Sequence, residues 1–156
     1  MTAVFAEDGV DETAFRAARR AANPQPCVFE KALLAGGPAC EMSARHALAE
    51  REGLACTSPV ARTNCGTLLA LLRERCAFAL KLAPDAAPPH ARLLKLQCGG
   101  LAGLGQVVGS GDTDVHRLIA AAHERYGSLA DLPWPAIVAA VQAWQGRRRH
   151  RGDRSE

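Results

Sequence analysis

Long apolar runs are missing from this chain, and none approaches the ~18–20 residues that a bilayer-spanning helix needs. The opening stretch MTAVFAEDGVDET has neither the positive n-region nor the apolar h-region of a secretory signal. The expectation is a cytoplasmic protein without export or membrane insertion. Aromatic residues are scarce at 4%, and Val and Ile nowhere alternate with polar residues, which leaves little from which to read a sheet. Close cysteine pairs are also lacking. Without a C-x2-4-C pair there is no zinc ribbon or finger, no ferredoxin-type run and no C-x-x-C redox motif. The run Gly99-Gly100-Leu101-Ala102-Gly103-Leu104-Gly105 matches neither a P-loop nor the dinucleotide fingerprint, and no G-x-S-x-G elbow or carboxylate pair stands out. The chain is therefore not read as an enzyme by itself.

Charge excludes a further class. The net charge of +3 is accounted for by the last eleven residues, where Arg147, Arg148, Arg149, Arg151 and Arg154 face only Asp153 and Glu156. A nucleic-acid binder spreads basic charge over a folded face. Here it is confined to a segment without apolar periodicity, read as a basic, solvated tail over 146–156, so no nucleic-acid partner is expected.

With 156 residues, 48% hydrophobic content and a mean hydropathy of −0.07, the chain suits one globular domain with a real core. Ala, Leu, Arg and Glu dominate, with punctuation that suits helices. The pattern predicts helices from Asp11 to about Ala22, from Val28 to Ala35 before Gly36-Gly37, and from Pro38 through Cys40 and His46 to about Glu52 with Gly53 after it. Ser58 and Pro59 form an N-cap and N1 pair for the longest helix, expected to run to Leu82 with Leu68, Leu69, Leu72, Cys76 and Ala79 on one stripe, widened by Leu71, Phe78 and Leu80. A proline-alanine linker covers 83–89. His90 to Gln97 is expected helical, then Cys98 to Gly105 as a turn or a close backbone approach. Asp112 should cap a helix from about Thr113 to Arg125, and a last helix runs from about Pro135 to Gln145. The fold expected is all-α: one domain over 1–145 of about six helices, with a cysteine-rich part (24–82) and a C-terminal part (90–145).

Six cysteines are the feature that stands out: Cys27, Cys40, Cys56, Cys65, Cys76 and Cys98, separated by 12, 15, 8, 10 and 21 residues. Disulfides rank last for a chain read as cytoplasmic with a real core. Cys76 lies mid-helix among apolar residues and reads as core. Cys27, Cys40 and Cys56 sit near expected helix starts, where free N–H groups favour thiolate and lower its pKa. Cys65 rides the helix that starts after Cys56, so both can approach one point. Cys98, beside two glycines, is a fifth candidate. Single cysteines on separate elements suit an iron–sulfur cluster better than one small zinc ion. His46 is a weaker candidate ligand, and His116 and His123 read as surface.

The stretch CVFEKALLAGGPACEMSARHALAEREGLACTSPVARTNCGTLLALLRERCAFAL, with LKLQCGG and LPWPAIVAAVQAW further on, resembles small proteobacterial cysteine-rich helical proteins associated with iron–sulfur binding. The resemblance covers about 24–145. It implies cysteines at the places of Cys27, Cys40, Cys56, Cys65 and Cys98, and a different residue type at the place of Cys76. The expectation is a cytoplasmic protein that binds an iron–sulfur cluster, of 4Fe-4S type, through Cys27, Cys40, Cys56 and Cys65, for electron transfer or for redox or iron sensing with a redox or regulatory protein partner. The alternative is a structural zinc-binding interaction module.

Overall fold

The computed structural model describes residues 13–14, 17–18, 23–48 and 51–146. Of the expected first helix only Thr13, Ala14, Ala17 and Ala18 are described, and they are helical; the tail beyond Gly146 lies outside the described residues. The remaining elements run α1 (Glu30–Leu34), β1 (Ser43–Leu48), β2 (Arg51–Cys56), α2 (Pro59–Cys76), α3 (His90–Val108), α4 (Val115–Tyr126), a 3-10 turn (Leu129–Asp131) and α5 (Trp134–Ala143).

An all-α fold of about six helices is not what forms. Most of the structure is helical, but the segment read as a helix from Pro38 to Glu52 belongs to a loop and an antiparallel hairpin, with Ser43 opposite Cys56 and His46 opposite Gly53. The cause is non-local. Pro26 bridges to Ala55 on the free edge of β2, with Cys27 N–H donating to Leu54 O at 2.9 Å and Cys56 N–H to Gln25 O at 2.8 Å. The Glu30 carboxylate accepts the Leu54 N–H at 2.8 Å, and Asn23 Nδ2 donates to the Leu54 carbonyl at 3.1 Å. These bonds draw the backbone of a helix-favouring sequence into strands, tertiary context overriding propensity. Gly53, expected as a helix C′ residue, instead lies under Glu30: a Cβ there would come within 3.2 Å of the carboxylate oxygen.

Helix α2 begins as expected, with the Ser58 hydroxyl accepting the Ala61 N–H at 3.1 Å and Pro59 at its first position. It buries Ala61, Leu68, Leu72 and Cys76 on one stripe. The helix ends at Cys76 instead of Leu82, in a turn closed by Lys81 at φ 54°, and Phe78 is 96% exposed where the stripe placed it inward.

Helix α3 runs unbroken through the glycines read as a turn or a close approach. The close approach is what occurs. A Cβ on Gly99 would lie 2.8 Å from Val141 Cα, and one on Gly103 2.9 Å from Ala140 Cβ, so α3 and α5 touch backbone to backbone. The helix stops at Gly109, at φ 71°, which accommodates the left-handed cap. The cap of α4 is Asp114 in place of Asp112, and α5 is Trp134–Ala143. Leu72, Leu96, Leu104, Ile137 and Val141 are fully buried between these helices. Buried Gln97 ties α1 to α3: its Oε1 accepts the Ala32 N–H at 3.1 Å and its Nε2 donates to Val28 O at 3.4 Å.

Candidate metal centre

Cys27, Cys40, Cys56 and Cys65 line one small cavity of about 20 Å³, together with Phe29, Leu33, Ser43, Ala61, Val115 and His116. Each sulfur arrives on a different part of the chain. Cys27 lies on the strand-like segment paired with β2. Cys56 ends β2 opposite Ser43. Cys40 lies in the turn before β1, where the Ser43 N–H and hydroxyl both donate to its carbonyl, at 3.1 and 2.9 Å. Cys65 stands two turns into α2, one turn beyond Ala61, on the stripe that continues into the core. All six cysteines carry free thiols.

The Cys40 turn is held from outside. Ala39 forms a parallel bridge to Asp114, with its N–H on Thr113 O at 3.0 Å and its carbonyl accepting the Val115 N–H at 2.8 Å. The Asp114 carboxylate accepts the Glu41 N–H at 2.6 Å and the Arg117 N–H at 3.0 Å. Arg117 in turn reaches Glu41 at 3.2 Å and Asp112 at 3.4 Å.

Backbone N–H groups do face the sulfurs: that of Phe29 stabilises a Cys27 thiolate, and those of Met42 and His116 a Cys40 thiolate. Burial outweighs them. It pushes the Cys27 thiol up to about 11 and the Cys65 thiol up to about 12, and raises Cys40 as well, with the neighbouring cysteines adding to each shift. The thiols are therefore harder to ionise than helix starts alone would make them. Cys56 makes its contact as a donor, Sγ to Ser58 O at 3.2 Å.

Cys98 is elsewhere. It is buried in α3 against a separate, mostly apolar cavity of about 730 Å³ bounded by Gly37, Leu101, Leu118 and Trp144. Cys76 is fully buried in the core between α2 and its neighbours. His46 lies in β1 and does not line the cysteine cavity; His123 has a buried Nε2 with no hydrogen-bond partner among the described residues, unlike a surface residue. His116, read as surface, does line the cavity, its ring one-third exposed and its Nε2 3.9 Å from Glu41. The signal that could have placed it was Asp114, which, as the cap of α4, puts His116 in the first turn.

Among the described residues no group of three or more His, Cys, Asp or Glu side chains is set to hold a metal ion as it stands. The four thiols nonetheless line one small cavity. The chain matches no family model, no curated protein and no solved structure.

Proposed function

We propose that Cys27, Cys40, Cys56 and Cys65 hold an iron–sulfur cluster, of 4Fe-4S type, and that the protein works in the cytoplasm in electron transfer or in sensing redox state or iron, with a redox or regulatory protein partner. The observation that carries this reading is the convergence of four free thiols, from four parts of the chain, on one cavity. Burial favours the neutral form of the Cys27, Cys40 and Cys65 thiols, and a cationic group at their centre would supply the positive charge that ionises them. Four thiols on separate parts of the chain suit a cluster whose four irons each take one sulfur. The N–H groups directed at Cys27 and Cys40 are the donors that tune such a centre. No helix among the described residues is long and apolar enough to cross a membrane, which agrees with a cytoplasmic setting.

One observation favours a structural zinc site as the second reading: a cavity of about 20 Å³ admits a single small ion without parting the turns around it. Metal and sulfide analysis of anaerobically purified protein separates the two. The cluster reading expects iron with equimolar sulfide and a broad absorption near ~400 nm. Colourless protein with one zinc per chain selects the alternative. A protein without iron or zinc, unable to take up either, overturns both.

A further inference from the structure

We propose that Asp114 is the positioning residue that fixes Cys40 on the rim of the cysteine cavity, an inference that takes the metal-binding reading as its frame. Cys40 belongs to neither a helix nor a strand, so its place depends on how the turn from Pro38 to Met42 is held. That turn is clamped on both sides of the cysteine by the short segment Thr113–Val115, with Asp114 at its centre. Opposite Asp114, Ala39, which precedes Cys40, bonds the Thr113 carbonyl and the Val115 N–H, and the Asp114 carboxylate accepts the N–H of Glu41, which follows Cys40, at 2.6 Å.

The same carboxylate caps α4 through the Arg117 N–H at 3.0 Å, and its own N–H donates to Asp112 Oδ1 at 2.9 Å. Asp114 is 8% exposed, so its carboxylate bonds meet little competition from water. Fixing the cap also fixes the first turn of α4, whose His116 N–H faces the Cys40 sulfur. Asp114 thus sets the ligand and the donor that stabilises it against one another.

The test is site-resolved alkylation of the metal-free full-length protein by iodoacetamide, read by mass spectrometry, beside iron and sulfide loading. Asp114→Ala removes hydrogen bonds to a charged acceptor and should raise Cys40 labelling by about 10- to 100-fold through local opening. Buried Cys76 should keep its wild-type rate, and iron loading should fall. Asp114→Asn keeps one acceptor oxygen and should restore most of the slow Cys40 labelling and most of the loading. Labelling of Cys40 in Asp114→Ala within twofold of wild type overturns the proposal, as does a common rise at all six cysteines, which marks loss of the fold instead. Wild-type protein that takes up no metal overturns the metal reading, while the labelling rates still decide the role of Asp114.

Discussion

Ser43 stands directly opposite Cys56 in the hairpin register. The turn that carries Cys40 leads into Ser43, which bonds the Cys40 carbonyl twice, so this one cross-strand pair brings two cysteines with fifteen residues between them to the same cavity. The pairing makes the hairpin part of the site, although it contributes little to the core.

Serine substitution should sort the six cysteines. Cys27→Ser, Cys40→Ser, Cys56→Ser and Cys65→Ser are each expected to abolish or strongly reduce metal loading. Cys98→Ser and Cys76→Ser should load fully, since those sulfurs lie by the large apolar cavity and in the core. Cys76→Ser should lose about 1–3 kcal/mol of stability from an unpaired buried hydroxyl. Metal content by elemental mass spectrometry decides, and loss of metal in Cys98→Ser with full loading in Cys65→Ser would refute the assignment.

Alkali should destabilise the metal-free protein. The Cys27 and Cys65 thiols sit above their ordinary value of 9.0, at about 11 and about 12, so the folded chain holds these protons more tightly than the unfolded chain. The stability they contribute is complete below pH 9 and is lost as pH rises towards 11–12. Urea midpoints measured from pH 7.5 to 10.5 should fall over the upper part of that range. Metal-loaded protein, already deprotonated at these sulfurs, should lack this fall and should instead release its metal in acid. A flat metal-free profile contradicts the burial argument.

Leu72 is fully buried in the C-terminal part of α2 and in contact range of Gly100 on α3. Leu72→Ala should cost about 2–5 kcal/mol, read from denaturant unfolding.

Two glycine substitutions should act in opposite directions. At Gly66 a Cβ meets nothing within 4 Å, so Gly66→Ala should stabilise α2 by about 0.5–1 kcal/mol. At Gly99 a Cβ meets the α5 backbone at 2.8 Å, and Gly99→Ala should cost about 1–3 kcal/mol despite better helix propensity. Thermal midpoints of the two variants on opposite sides of wild type would bear out the close approach.

What local sequence could reveal was local. The Ser58-Pro59 start of α2 and its buried Leu68–Leu72–Cys76 stripe follow from capping and periodicity; of the five cysteines grouped as candidates, Cys27, Cys40, Cys56 and Cys65 line one cavity and Cys98 lines another. The hairpin was illegible because SARHAL and REGLAC favour helices; their strand conformation rests on Pro26, Cys27 and Glu30, which lie well upstream. Glycines 99–105 could mean a turn or a close contact, and only the position of α5 decides. The direction of the thiol shifts was hidden too, since burial is a property of the assembled fold.

The bridge between Ala39 and Asp114 has a consequence for biosynthesis. The cysteine cavity has a wall on α4, so its last part is made some 50 residues of chain after Cys65. A ribosome that has released Cys27, Cys40, Cys56 and Cys65 has released four thiols but no finished pocket. On the proposed reading, a group bound by these sulfurs is received only after α4 has been made, and delivery before that would meet an unclamped Cys40.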